Sequence, residues 1–164
     1  YELDPAIPCP AFVVFGPFMA SDRRARFRAR IARLERVRAI DFHARIEGYL
    51  ASAAGIVAMG GYNTFCEILS FDKPSVLVPR TRPRREQLIR ARRAQELGLA
   101  TLLEDRDARD PRRMAVALRQ LTQQKRPSDV VLPGLLDGLA NINRLVAREL
   151  DREQSEFTLA RREG

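Results

Sequence analysis

Short apolar runs alternate with longer amphipathic segments along this chain, and that alternation constrains its fold more than any other feature. The runs that predict strands are Phe12–Phe15, Ala39–Phe42, Ile56–Met59, Ser75–Val78 and Ala100–Leu103. The segments that predict helices between them are Ser21–Val37, Arg45–Ser52, Asn63–Ser70 and Arg85–Leu97. Strands that alternate with helices at this spacing indicate a parallel sheet with right-handed crossovers. We therefore expect an α/β fold, with a Rossmann-like parallel sheet and helices on both faces.

The segments at the two ends of the chain set the expected domain boundaries. Extra C-terminal helices are predicted, one that begins at Asp110-Pro111 and one over Leu135–Leu150. We expect one domain over residues 12–150 and a flexible polar tail over residues 151–164. Because Tyr1 is not a methionine, residues 1–11 are expected to be the cut end of a preceding segment of a longer protein.

A glycine pair lies between one predicted strand and the helix that follows it. Residues Met59 to Thr64 read Met-Gly-Gly-Tyr-Asn-Thr, and Glu67 comes one turn later. Glycines let the backbone approach a ligand closely, and a helix N-terminus offers N–H groups to phosphate. A carboxylate one turn further can accept hydrogen bonds from a sugar diol. The pattern favours a nucleotide or nucleotide-sugar site, although a tight turn alone also requires glycine. Neither Gly-x-Gly-x-x-Gly nor a Walker lysine is present, which argues against a dinucleotide site or a P-loop.

A basic loop follows the next predicted strand. Residues Pro79 to Gln87 read Pro-Arg-Thr-Arg-Pro-Arg-Arg-Glu-Gln. In an open parallel sheet, ligands bind beyond the carboxyl ends of the strands, so this loop and the glycine pair should face one crevice. There Arg80 and Arg85 can bind a diphosphate or an anionic acceptor. The alternative is a solvated basic loop.

Together the two segments resemble the donor-binding half of GT-B glycosyltransferases of family 28. This group includes the N-acetylglucosaminyltransferase of peptidoglycan synthesis and bacterial predicted glycosyltransferases that carry both motifs. The resemblance extends from about Phe12 to Leu103, and more loosely over the later helices. It implies a nucleotide-sugar donor, a UDP-sugar in particular, and no tightly bound cofactor or metal.

The resemblance also implies roles for individual residues. The donor's diphosphate would be held by the turn and helix start, and the base would be read by backbone groups at the end of an earlier strand. Glu67 would bind the ribose hydroxyls. Glu86 and Gln87 would contact the donor sugar; the relative has two glutamines there, so Glu86 is a departure that leaves the sugar's identity open. The residues implied for the diphosphate are Gly60, Gly61, Asn63 and Thr64, and those for the base are Phe42 and His43.

The resemblance implies a metal-independent transfer by direct displacement at the anomeric carbon, with inversion favoured and retention left open. The catalytic base and the acceptor site would come from the protein's own N-terminal domain, so this chain alone should be inactive. The acceptor is unknown. Two alternatives stay open: a nucleotide-sugar 2-epimerase, and a non-enzymatic nucleotide-binding or nucleic-acid-binding basic domain.

The composition bears on partners and location. The net charge is +8, and Lys73 and Lys125 are the only lysines. Because the arginines of 23–38 surround a helix whose apolar side must pack inward, we interpret them as a solvated surface and expect no nucleic-acid partner. Cys9 and Cys66 are too few for a disulfide framework or a zinc site. We therefore expect a cytoplasmic protein, and a peripheral membrane contact of the full-length enzyme is left open.

Overall fold

The computed structural model describes residues 1–2, 4, 6–42, 45–130 and 141–149. The chain divides into two compact units, Tyr1–Val130 and Val131–Gly164. The second unit is described only over residues 141–149, a helix whose side chains are exposed. The rest of the helix predicted over Leu135–Leu150 and the tail predicted over 151–164 lie outside the described residues.

The first unit alternates strands with helices, as the sequence predicts. Its strands are β1 (Ala11–Val14), β2 (Val37–Ile40), β3 (Ile56–Ala58), β4 (Ser75–Leu77) and β5 (Thr101–Leu102). Its helices are α1 (Ser21–Ile31), α2 (Glu47–Ser52), α3 (Tyr62–Ser70), α4 (Glu86–Glu96), α5 (Asp105–Ala108) and α6 (Pro111–Leu121). A 3-10 turn over Pro127–Asp129 closes the unit. The predicted α/β class is confirmed.

Every strand pair in the described residues is parallel. β1 pairs with β2, and β4 lies between β3 and β5 in a second sheet. Parallel strands are therefore confirmed, but the described strands form two hydrogen-bonded sheets instead of the single sheet that the sequence predicts. The carboxyl ends of β3, β4 and β5 share one edge of the three-stranded sheet.

Helix α1 is shorter than predicted, because the segment expected to be helical up to Val37 divides at Ile31. The backbone turns after Ala32: the Ala32 N–H donates to the carbonyl oxygen of Arg28 at 2.9 Å, and the Arg33 N–H donates to that of Arg30 at 3.2 Å. Val37 then begins β2 and pairs with Ala11 of β1. Val37, which helical periodicity alone would assign to the helix, is therefore part of a strand because it pairs with β1. The strand predicted over Ala39–Phe42 is shifted for the same reason.

The core of the first unit lies around β4, whose three residues are all buried. Val76 packs with Leu103, Ala117 and Leu121, so α6 covers this strand. Helix α6 begins where predicted, because Asp110 caps it by accepting a hydrogen bond of 2.9 Å from the N–H of Arg112. Gly98 ends α4 in the left-handed region at φ 72°, as expected of a glycine just past a helix.

Candidate functional site

The two loops that the sequence singles out begin side by side. Ala58 of β3 is the register partner of Leu77 of β4, and the N–H of Val78 donates to the carbonyl oxygen of Ala58 at 2.8 Å. The chain leaves β3 toward the glycine pair and leaves β4 toward the basic loop. The prediction that both loops lie at one edge of a parallel sheet is therefore confirmed.

Of the two glycines in the turn after β3, only the first is required by the backbone conformation. Gly60 is buried and has φ +73°, and a Cβ there would lie 3.5 Å from Leu77. An L-residue at that backbone angle would be strained, so glycine is needed. Gly61 is the N-cap of α3 with φ −55°, and nothing lies within 4 Å of a Cβ built on it. The approach to the first turn of α3 is thus open at Gly61.

The N-terminus of α3 carries a polar face. No side chain caps this helix, and its first turn contains no acidic residue. The first-turn N–H groups, with the positive end of the helix dipole, therefore remain available to an anion. Asn63 and Thr64 lie one turn before Glu67 on the same helix face. Asn63 is exposed, whereas Thr64 and Glu67 are half-buried.

The basic loop is exposed but is anchored at both of its ends. Arg80 and Arg85 are exposed, and Glu86 is the exposed first residue of α4. Gln87 is 8% exposed, and its Oε1 accepts a hydrogen bond of 3.1 Å from the backbone N–H of Arg80. Gln87 therefore holds the start of the loop against the start of α4. Its predicted contact with a donor sugar stays a prediction.

Arg90 joins α4 to the glycine turn, and sequence reasoning missed it. Its Nη1 donates a hydrogen bond of 2.8 Å to the carbonyl oxygen of Gly60. Its guanidinium carbon lies 5.6 Å from the centre of the Tyr62 ring. The sequence signal that could have identified Arg90 is its spacing: it lies one turn after Glu86 and Gln87, on the same face of α4.

The region predicted to read the base is described only in part. Phe42 is 53% exposed and lies two residues beyond the end of β2. Asp41, just before it, forms ion pairs with Arg24 and Arg28 of α1. His43 lies outside the described residues. The structure therefore brings Phe42 to the carboxyl end of β2, in the sheet that does not contain β3 and β4.

Comparison with known families identifies the domain. Residues 19–129 match the glycosyltransferase family 28 C-terminal domain, which is more than half of the chain. The chain belongs to this family. All of the predicted site residues, and Arg90 with them, fall inside the matched range. The predicted resemblance is confirmed at the level of the family.

Solved structures similar to this family 28 domain include two glycosyltransferases. A crystal structure of the glycosyltransferase VinC in complex with dTDP is 25% identical, with 73% of this chain and 32% of that chain covered at a TM-score of 0.40. The glycosyltransferase SnogD from Streptomyces nogalater is 17% identical, with 83% and 41% covered at a TM-score of 0.39. This chain thus spans about a third of VinC and two fifths of SnogD. No curated protein matches the sequence.

One acidic motif bears on the expected lack of a metal. Asp105-Arg106-Asp107 is an Asp-x-Asp triplet, and it lies in α5, just after β5. Asp105 pairs with Arg109 at 2.9 Å, and Asp107 pairs with Arg113 at 2.6 Å. Both carboxylates of the triplet are therefore already engaged by arginines of the family 28 domain. Metal independence stays a prediction.

Most of the arginines of α1 pair with carboxylates on the surface, whereas Arg23 lies 5.8 Å from the centre of the Phe27 ring. Arg26 pairs with Asp22, and Arg30 pairs with Glu2 through two hydrogen bonds. Much of the positive charge on this helix is thereby balanced locally. Among the helices of the described part of the chain, none is long and apolar enough to cross a membrane.

Proposed function

We propose that this chain is the donor-binding half of a glycosyltransferase that uses a nucleoside diphosphate sugar, with UDP as the nucleotide. The observation that carries the proposal is the junction of two loops at the edge formed by β3 and β4. One loop presents the uncapped N-terminus of α3, and the other presents exposed arginines. An anion with two phosphates fits this combination of helix dipole and guanidinium groups. Membership of family 28 supports the same reading.

Each predicted residue has a physical role in this proposal. The diphosphate accepts hydrogen bonds from the first N–H groups of α3, next to Asn63 and Thr64. Arg80 and Arg85 add charge-assisted contacts, each of about 1.5–3 kcal/mol. Glu67, about 6 Å further along α3 at 1.5 Å per residue, accepts hydrogen bonds from the ribose hydroxyls.

The remaining part of the donor would extend in two directions. The sugar lies toward Glu86 and Gln87 at the start of α4. The uracil base lies toward the backbone of Phe42 and His43, after β2. Such a donor would span the carboxyl ends of both sheets, as ligands of open parallel sheets do.

In the whole protein the reaction would be a direct displacement. An acceptor oxygen forms a bond to the anomeric carbon while the bond from that carbon to the diphosphate oxygen breaks. UDP leaves with the electron pair, and the acceptor's proton passes to a base in the N-terminal domain. This chain's part is to stabilise the charge that develops on the leaving diphosphate, which preorganised N–H and guanidinium donors do well. Inversion, metal independence and a cytoplasmic setting belong to the proposal.

Isothermal titration of the chain with UDP, dTDP, GDP, ADP and uridine tests the proposal. We expect selective binding of UDP. Glu67→Gln should weaken UDP and uridine alike by about tenfold or more, since each hydrogen bond to a charged group is worth about 1.5–3 kcal/mol. Glu96→Gln is the matched control, because Glu96 is an exposed carboxylate at the C-terminal end of α4, away from the two loops of the site. If UDP binds Glu67→Gln as tightly as the parent chain, the ribose contact is misplaced.

The basic loop and the metal are tested in the same titration. Arg80→Ala combined with Arg85→Ala should weaken UDP more than uridine, because uridine has no phosphate. Equal losses for both ligands would exclude the loop from the phosphate site. Adding EDTA or Mn²⁺ should leave UDP affinity unchanged. A loss in EDTA that is restored by Mn²⁺ would contradict metal independence and direct attention to Asp105 and Asp107.

A further inference from the structure

The arginines of α4 differ in what they contact. Arg92 and Arg93 are exposed and pair with Glu104 and Glu96 at 2.7 and 3.0 Å. Arg90 is half-buried and donates instead to a backbone carbonyl in another element. Since a guanidinium group always carries its charge, an arginine aimed at the glycine turn adds positive charge there at any physiological pH.

Both contacts of Arg90 flank the N-cap of α3. It binds the carbonyl oxygen of Gly60 on one side of Gly61 and stacks on the ring of Tyr62 on the other. Two glycines in succession give the most flexible backbone a chain can have. A residue that holds the positions immediately before and after Gly61 therefore limits the conformations of the whole turn.

The hydrogen bond from Arg90 to Gly60 also fixes the orientation of the peptide bond between Gly60 and Gly61. Across a trans peptide bond the carbonyl of Gly60 and the N–H of Gly61 point in opposite directions. With the carbonyl held against Arg90, the Gly61 N–H is turned away from Arg90. A flip of this peptide would place a carbonyl oxygen where the N–H now points, and a carbonyl oxygen repels phosphate.

We propose that Arg90 is a positioning residue for the diphosphate: by holding Gly60 and Tyr62 it fixes the turn in the orientation that leaves the N-terminus of α3 open to an anion. This inference rests on the proposed function. Arg90 and Gln87 lie one turn apart on α4, and Gln87 holds the loop that follows β4. A single face of α4 thus orients both loops of the site.

Titration of four chains with UDP and uridine tests this role: the parent, Arg90→Met, Arg90→Lys and the control Arg93→Met. We expect Arg90→Met to weaken UDP about tenfold or more, the effect of one charge-assisted hydrogen bond, and to leave uridine within about twofold. Arg90→Lys should recover only part of the loss, because an ammonium group lacks the planar fork and stacks poorly. Arg93→Met should change neither ligand.

Three results of the titration would overturn the proposal. Unchanged UDP affinity in Arg90→Met would show that the turn keeps its orientation without the arginine. Equal losses of UDP and uridine, with a lowered melting temperature, would indicate a general effect on the fold. Full recovery in Arg90→Lys would show that charge alone matters.

A second measurement needs no ligand, so it separates this proposal from the proposed function. In NMR spectra of the free chain, the amide resonances of Gly61 and Tyr62 should shift or broaden in Arg90→Met and stay unchanged in Arg93→Met. If these resonances do not move, the positioning role is excluded even where UDP binds. If the parent chain binds no UDP, the proposed function fails, and the spectra still decide whether Arg90 orients the turn.

Discussion

Strands β4 and β1, which belong to different parallel sheets of the first unit, are buried to different extents. In β4 all three residues are buried, and Val76 and Leu77 are 0% exposed. In β1 the side chains alternate, and Phe12 and Val14 remain 54% and 40% exposed. β4 has a strand on each side and α6 above it, whereas β1 has one strand partner in the described residues. The best-buried strand thus lies in the sheet that carries the glycine turn and the basic loop.

This difference indicates how the candidate site is supported. The basic loop is exposed from Arg80 to Glu86, but the residues at its two ends, Pro79 and Gln87, are buried. Mobile binding residues on a rigid base are common in enzymes, because the base fixes where the loops start. Changes under β4 should therefore affect stability strongly, and changes in the loops should affect binding.

The largest expected effect is on stability, and it compares one strand residue from each sheet. Leu77→Ala removes a fully buried side chain from the end of β4 and should lower the free energy of unfolding by about 2–5 kcal/mol. Ile40→Ala removes the same number of carbon atoms from the end of β2, where Ile40 is only half-buried. It should cost less than half as much. Urea unfolding of both variants measures the contrast, and equal losses would show that the two sheets are equally well packed.

A pair of glycines gives the next largest effect. Gly55 lies just before β3, and a Cβ there would be 2.5 Å from Cγ of Leu121. Gly55→Ala should therefore push α6 away and cost about 1–3 kcal/mol. Gly48, in α2, has nothing within 4 Å of an added Cβ, so Gly48→Ala should be neutral or stabilise by up to about 1 kcal/mol. Thermal unfolding compares them, and a tolerated Gly55→Ala would mean that α6 is free to move.

The open N-terminus of α3 contrasts with the capped N-terminus of α6, and one substitution removes the contrast. Gly61→Asp adds a carboxylate that can cap α3 as Asp110 caps α6, and it should stabilise the fold by a few tenths of a kcal/mol. The same carboxylate would occupy the N–H groups proposed for phosphate and repel it. UDP affinity should fall by about tenfold or more, near 1.4 kcal/mol.

The control for this variant separates charge from capping. Gly61→Asn adds a neutral cap at the same position, so it should reduce UDP affinity less than Gly61→Asp does. Titration with UDP, together with the melting temperature, reads both effects from the same samples. UDP binding that is undiminished in Gly61→Asp would place the phosphates elsewhere.

Local sequence patterns predicted most of this fold. The strands at β3 and β4, the glycine turn, the stop at Gly98 and the cap at Asp110 all follow from neighbouring residues, and the structure places them within a residue or so of the prediction. Each depends on periodicity, a backbone angle or a cap within a few positions. The ends of β3 and β4, where the two loops of the site begin, were predictable because they depend on neighbouring residues.

The features that were missed depend on contacts between distant residues. The early end of α1 follows from the pairing of Val37 with Ala11, which no pattern within the helix encodes. The contact of Arg90 with Gly60 joins residues 30 positions apart. Helix α5 has only four residues, too few for a periodic signal. The sequence predicts which residues line the site, but the links that orient them arise only in the folded chain.

The smallest expected effect concerns the turn that follows α3 and depends on pH. Asp72 has φ 52°, and its carboxylate accepts hydrogen bonds of 2.8 Å from both the backbone N–H and the hydroxyl of Ser128. The backbone hydrogen bond from Ser128 is the main cause that lowers the pKa of Asp72 below its usual 3.8; the Ser128 hydroxyl and the charges of Arg126 and Lys73 lower it further. A lowered folded-state pKa means that the carboxylate stabilises the fold above the usual pKa and that this contribution is lost as pH falls through the lowered value.

Asp72→Asn isolates that contribution, because asparagine tolerates the same backbone angle but carries no charge. At pH 7 the variant should be less stable than the parent by under about 1 kcal/mol, since solvent screens exposed charges. As the pH falls below 3.8, the two unfolding curves should converge. Urea unfolding at a series of pH values from 7 to about 2.5 measures the difference. A difference that persists undiminished at the lowest pH would mean that the ionisation of the carboxylate does not contribute. No difference at pH 7 would mean that an amide accepts the hydrogen bonds from Ser128 as well as the carboxylate does.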